Sequence, residues 1–199
     1  GSGKSTTLYT SLSELNTEDV NIITVEDPVE ANINGINQVQ VNNKADMTFA
    51  AALRSILRQD PDIIMIGEIR DGETAGIAVQ AAITGHLVVS TLHTNSAAST
   101  ITRLIDMGIE SYIAGDAVVG VIAQRLVRRL CTTCKQPRLE EDDERVQLGV
   151  PADEEDVIIY EPQGCPLCND TGYSGRIGVY EMMPVSRELQ AVIASGATA

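Results

Sequence analysis

The chain opens on GSGKSTTLY, residues 1–9, and the reading of that stretch decides the fold. A phosphate-binding loop has the form G-x-x-x-x-G-K-[ST], and Gly3, Lys4 and Ser5 supply its last three positions just before a run with helical character. The opening glycine of such a loop would lie ahead of Gly1. A flexible Gly/Ser linker uses the same letters, so the rest of the chain has to separate the two readings.

Residues 21–26 (NIITVE), 62–67 (DIIMIG) and 86–92 (HLVVSTL) are short, β-branched and almost continuously apolar. Strands buried on both faces of a parallel sheet read this way. Helical patterns lie between them, at 47–58 with Phe49, Leu53, Ile56 and Leu57 on one face, and at the Ala-rich stretch 72–84. The alternation predicts an α/β fold, whose ligands gather at the carboxyl ends of the strands. By that rule Lys4 and Ser5, Glu26 and Asp27, Gly67 and Glu68, and Thr91 and His93 all fall on one edge of the sheet. A linker would not put its lysine in register with such strand ends, so residues 1–5 read as a phosphate loop.

The chemistry follows from the residue types. Backbone N–H groups of Gly1, Ser2 and Gly3 and the positive end of the following helix make an anion site; Lys4 reaches toward β- and γ-phosphates and Ser5 toward Mg²⁺. A nucleotide is the implied ligand. Glu68, after an apolar strand, stands where P-loop enzymes keep a carboxylate for the Mg²⁺ shell or for orienting water. TVEDPVE, residues 24–30, sets three acids beside the same edge, which suits a general base and equally a charged loop. His86 and His93 flank one strand too far apart in phase to share a metal. His93 is the candidate for sensing a γ-phosphate, and His86 suits a loop hydrogen bond. Cys131, Cys134, Cys165 and Cys168 form two CxxC pairs separated by 30 residues, the pattern of a structural tetrathiolate zinc site. Disulfides are the alternative for four cysteines, disfavoured in a chain that reads as an intracellular nucleotide enzyme.

With 199 residues, 43% of them hydrophobic, the chain can bury one sizeable core with a small appendage. A net charge of -14, no Trp and a single Phe argue against direct nucleic-acid binding, which relies on basic residues and stacking rings. Arg125, Arg128, Arg129, Lys135 and Arg138 precede the acidic block 140–144, a run that reads as a solvated face. No apolar run approaches the ~20 residues of a membrane span.

Taken together these motifs resemble the ATPases of type II secretion and type IV pilus assembly, over residues 1 to about 185. GSGKSTTLY resembles the end of that family's Walker A motif, TVEDPVE its aspartate box, LRQDPDIIMIGEIRD its Walker B segment and TGHLVVSTLHTN its histidine box. AQRLVRRLC and GYSGRIGVYEMM resemble its zinc-binding module. The resemblance implies a RecA-like P-loop core that lacks its first strand and the start of the loop, at residues 1–130. It implies a tetracysteine zinc module at 131–185 and a helical segment at 186–199. Lys4, Ser5 and Thr6 would bind phosphates and Mg²⁺, Glu26 would be the catalytic base, Glu68 the Walker B carboxylate and Mg²⁺ ligand, and His93 a γ-phosphate contact. ATP, Mg²⁺ and Zn²⁺ are the implied cofactors. The implied setting is a cytoplasmic homo-hexamer at the inner face of the cell membrane, working with platform and docking proteins to drive pseudopilus or pilus assembly. Trans-acting arginines and the docking domain lie, in that family, ahead of the phosphate loop, so a chain beginning at Gly1 is expected to hydrolyse ATP poorly alone. The CxxC pairs argue against a retraction-type motor. Gly76 within GETAGIA departs from the usual family pattern and puts local helix strength in question. A nucleic-acid translocase or recombinase would share the core but should carry basic loops.

Overall fold

Gly3, at φ 80°, turns the chain into a helix, α1 (Lys4–Leu15); glycine adopts that left-handed conformation without steric cost. The computed structural model describes residues 2–151 and 157–196. After α1 come β1 (Ile22–Glu26), β2 (Asn37–Gln40), α2 (Phe49–Ile56), β3 (Ile63–Ile66), α3 (Gly72–Ile83), β4 (Leu87–Ser90), α4 (Ala98–Asp106) and α5 (Ser111–Ala117). Next in the chain are β5 (Gly120–Leu130), β6 (Gln136–Leu139), α6 (Asp142–Leu148), β7 (Ile158–Glu161), β8 (Tyr173–Pro184) and α7 (Arg187–Ala194). The chain divides into two units, Gly1–Gln124 with Tyr180–Ala199, and Arg125–Val179.

The first unit is built on a parallel four-stranded sheet in the order β2-β1-β3-β4. The expected α/β architecture is present, and its reason lies in the period of two along each strand. Ile22 on β1 and Ile63 and Met65 on β3 face one side, where they pack with Leu8, Tyr9 and Leu12 of α1. Ile23, Val25, Ile64 and Ile66 face the other, against Ala52, Leu53 and Ile56 of α2 and Ala75, Ala78 and Val79 of α3. Thr24 and Glu26 share the parity of Ile22, so both point to the α1 side. Caps fix where the helices begin: Thr48 accepts from the Ala51 N–H ahead of α2, and Asp71 from the Thr74 N–H at 2.8 Å ahead of α3.

The unit boundaries differ from those expected at 130 and 185. Strands β5 and β8 pair with each other, so the second unit's chain enters at Arg125 and leaves at Val179. Helix α7 is no separate segment: Leu189 and Ile193 join the same apolar cluster as Ala114 of α5. Gly115 permits that approach, since a Cβ there would lie 3.1 Å from the Gln190 carbonyl.

In the second unit β6 and β7 pair antiparallel, with Gln136 opposite Glu161 and Leu139 opposite Ile158. Helix α6 lies between them in sequence. Among the described residues of this unit the buried apolar cluster consists of cysteines alone, Cys131, Cys134 and Cys168, with Cys165 packed on them.

Candidate functional site

Parallel pairing brings the ends of β1, β3 and β4 side by side, and hydrogen bonds past the ladder fix the loops that leave them. Gly67 N–H donates to the Val25 carbonyl at 2.8 Å, the Thr91 hydroxyl donates to the Gly67 carbonyl at 2.8 Å, and Ile69 N–H donates to the Thr91 carbonyl at 3.0 Å. Glu68 and His93 therefore meet: His93 Nε2 lies 3.4 Å from Glu68 Oε2, while the other carboxylate oxygen takes a short bond from Arg70. The Arg70 hydrogen bond, with His93 adding to it against the opposing effect of burial, holds the Glu68 carboxyl below its usual range. His86 is apart from this group; its Nδ1 sits 2.9 Å from the Ala81 carbonyl at the end of α3.

At the amino end of α1 no side chain caps the helix, leaving its first N–H groups turned outward at the foot of Lys4, Ser5 and Thr6. Ser2 and Thr7 are both held by Gln124, whose Nε2 donates to the Ser2 carbonyl at 3.0 Å and whose Oε1 accepts from the Thr7 hydroxyl at 2.7 Å. Gly1 lies outside the described residues, so its expected part in phosphate binding has no structural account. Ser5 donates from Oγ to Glu30 Oε1 at 2.9 Å.

Glu26, expected as the base, occupies a different kind of place. It is 4% exposed. Its Oε1 accepts from Thr24 Oγ1 at 2.6 Å and from Gln38 Nε2 at 3.1 Å, and its Oε2 takes a short bond from the Tyr9 hydroxyl. A buried carboxylate with both oxygens engaged by three donors presents no acceptor to solvent. Glu30, the last acid of the same box, is the exposed carboxylate beside Ser5. The acid cluster was visible in the sequence; which of its members faces the loop depends on the side of the sheet that α1 covers. Strand parity of Glu26 with Ile22 is the signal that could have separated them. Gln124 and Tyr9 carried no signal of that kind.

Oxygen donors of the sort that hold Mg²⁺ are present: the Ser5 hydroxyl and the Glu30 and Glu68 carboxylates. The second unit holds a distinct donor set. All four cysteines are free thiols with every Sγ within 4.8 Å of the others. Cys131 to Cys165 is 4.0 Å, Cys134 to Cys168 3.8 Å and Cys165 to Cys168 3.7 Å. Thiolates around a tetrahedral zinc at Zn–S of about 2.3 Å stand about 3.8 Å apart, whereas a disulfide requires about 2.05 Å. The site fits Zn²⁺. Burial opposes ionisation of Cys168, but the Cys165 and Gly172 N–H groups donating to its sulfur outweigh it and bring the thiol down to about 6, while burial pushes Cys134 up to about 11. Within the block 140–144, Glu141, Asp142 and Asp143 are exposed, as a solvated face would have them, while Glu144 takes two bonds from Arg138, at 2.7 and 2.5 Å, and Glu140 pairs with Arg145. The β6/β7 ladder explains the cysteine geometry, since Cys134 precedes Gln136 and Cys165 follows Glu161 at the same end of an antiparallel pair.

A family model described as Type II/IV secretion system protein matches residues 1–199. The Type II secretion system ATPase E of Vibrio cholerae is 57% identical over 197 residues, 99% of this chain and 39% of that protein. The Type IV pilus assembly ATPase PilB of Myxococcus xanthus is 55% identical over 201 residues, 100% of this chain and 36% of that protein. Among solved structures, the pilus retraction motor PilT with bound ADP aligns with a TM-score of 0.71 at 30% identity, over 98% of this chain and 48% of that one. The chain thus spans less than half the length of each of these proteins.

Proposed function

This chain belongs to the Type II/IV secretion system protein family, and from that premise we propose that it is the ATP-hydrolysing part of a motor that powers pseudopilus or type IV pilus assembly. The motor works as a homo-hexamer in the cytoplasm, peripheral at the inner face of the membrane, on platform and docking proteins. Among the described residues no helix is long and apolar enough to cross a membrane.

The observation that carries the reading is Ser5 bonded to Glu30 at the uncapped start of α1, with Glu68 and His93 at the ends of the neighbouring strands. Lys4 and the outward N–H groups of α1 bind the phosphates of ATP, and electrostatic preorganisation of this kind carries most of phosphoryl-transfer catalysis. Ser5 and Glu68 would hold Mg²⁺, which neutralises charge on the β- and γ-phosphates. The Ser5 hydroxyl that now donates to Glu30 would be a ligand of that ion, and the exposed Glu30 carboxylate beside it accepts the proton of the attacking water. Glu26 serves as the buried anchor of the loop that carries Glu30. His93, 73% exposed beside Glu68, is free to turn toward a γ-phosphate. Cys131, Cys134, Cys165 and Cys168 would hold a structural Zn²⁺.

Steady-state turnover by the purified full-length protein tests this. Lys4→Ala should reduce turnover to background with an unchanged circular dichroism spectrum, and Glu30→Gln should lower kcat by about 10²-fold or more with KM for ATP little altered. Wild-type turnover in Lys4→Ala would remove the phosphate-loop assignment; wild-type turnover in Glu30→Gln would remove the base.

A further inference from the structure

Phosphate binding and proton transfer leave one hydroxyl on the sheet side of α1 unused. Tyr9 stands one helical turn beyond Ser5, so the two side chains emerge from the same face. The Tyr9 hydroxyl donates to Glu26 Oε2 and accepts the backbone N–H of Glu30 at 3.0 Å. Those two bonds fix each other. Glu26 is an acceptor only, so the single hydroxyl proton is committed to it and the lone pairs must face the Glu30 amide. Glu30 is therefore attached to α1 at two points a turn apart, by its amide at Tyr9 and by its carboxylate at Ser5. The rest of its loop is tied to β2 instead: Val29 N–H donates to Gln40 at 3.3 Å, Ile33 N–H to Gln38 at 2.7 Å, and the Ala31 carbonyl accepts from Gln38 at 3.0 Å. A groove of about 510 Å³ runs beside these contacts, lined by Thr6, Tyr9 and Thr10 from the helix and Glu30, Ala31 and Ile33 from the loop. With open space on one side, the loop is located against the helix by specific bonds and not by close packing.

We infer that Tyr9 is a positioning residue that sets the Glu30 carboxylate against the phosphate loop, acting through the Glu26–Tyr9–Glu30 relay. The inference rests on the reading of Glu30 as base. Three elements meet at one oxygen: the phosphate-loop helix, the end of β1 and the acid-bearing loop. Any shift of α1 would thereby reach the base directly. Burial and the adjoining Glu26 carboxylate raise the Tyr9 hydroxyl above its ordinary range, so it remains a proton donor across the working pH.

The test is a double-mutant cycle on the full-length protein, with kcat, KM for ATP and the far-ultraviolet spectrum measured for each form. Tyr9→Phe should lower kcat about tenfold, the size of one positioning hydrogen bond, with KM within about twofold. In a Glu30→Gln background the same change should cost nothing further. Glu26→Gln supplies a second route should Tyr9→Phe fold poorly: it keeps the hydroxyl but turns an amide toward it, and it should show the same kcat loss and the same absence of effect in Glu30→Gln. Equal losses in both backgrounds, or a slow Glu30→Gln with a wild-type Tyr9→Phe, would overturn the role of Tyr9 while leaving the base in place. A wild-type Glu30→Gln would remove the base and the inference together.

Discussion

Single residues carry the division of labour in the acid box. Glu26 and Glu30 stand four apart in sequence, yet one is 4% exposed with three donors on it and the other meets solvent beside Ser5. Glycine positions show a similar contrast between appearance and consequence. Gly76 interrupts an Ala-rich stretch and would be expected to weaken it, but α3 runs unbroken from Gly72 to Ile83. A Cβ built at Gly76 meets nothing within 4 Å. Gly76→Ala should therefore stabilise the first unit by about 1 kcal/mol through helix propensity alone, read as a higher denaturant midpoint at unchanged slope; a lower midpoint would mean that the space is used. Gly72, at the start of the same helix, is the opposite case, because a Cβ there would fall 2.3 Å from the Met107 carbonyl. Letters alone do not tell these two glycines apart, since the difference lies in a partner 35 positions away.

At the scale of elements, the strands that were legible were those buried on both faces: the expected 21–26, 62–67 and 86–92 contain β1, β3 and β4. β2 was not, because NQVQ is an edge strand with two exposed ends and no apolar period. β5 and β8 were hidden likewise, their arginines and exposed apolar residues alternating without a buried face to set the pattern. The pairing of α6 with β6 was obscured for a different reason, since a run of acids says nothing about which arginine it will meet. Once paired, it makes a measurable prediction. The Arg138 hydrogen bonds bring the Glu144 carboxyl down to about 2. A carboxylate whose folded value is depressed adds stability that is complete above its unfolded value of about 4.3 and disappears as pH falls toward the folded one. The difference in melting temperature between wild type and Glu144→Gln should thus be greatest near neutrality and shrink from about pH 4.5 to about pH 2. A constant difference across that window would show that the pair does not govern α6.

For the whole molecule, the two units rest on unlike sources of stability. The first buries two aliphatic clusters against its sheet, each fully buried Ile, Leu or Met contributing about 2 kcal/mol. The second, among its described residues, has only cysteines in its buried apolar cluster, and a structural zinc would supply on the order of 10 kcal/mol or more of folding free energy to such a module. Elemental analysis should find one zinc per chain, and a strong chelator should abolish amide protection from Cys131 to Cys168 while the β1–β4 sheet keeps its own. Protection unchanged after complete metal loss would show that the module holds itself together. The route of the chain adds a matter of timing. Helix α7 completes the cluster around α5, yet it is joined to it only through the entire cysteine module. A ribosome therefore releases the first unit without its last helix and must finish the cysteine module before that helix emerges. Pairing β5 with β8 draws the two ends of the excursion together, and a shorter excursion costs less entropy to close. The time the cysteine module takes to fold would then set how soon Ile193 finds its place, and with it how long an unfinished apolar surface stays open to the nascent chain's neighbours.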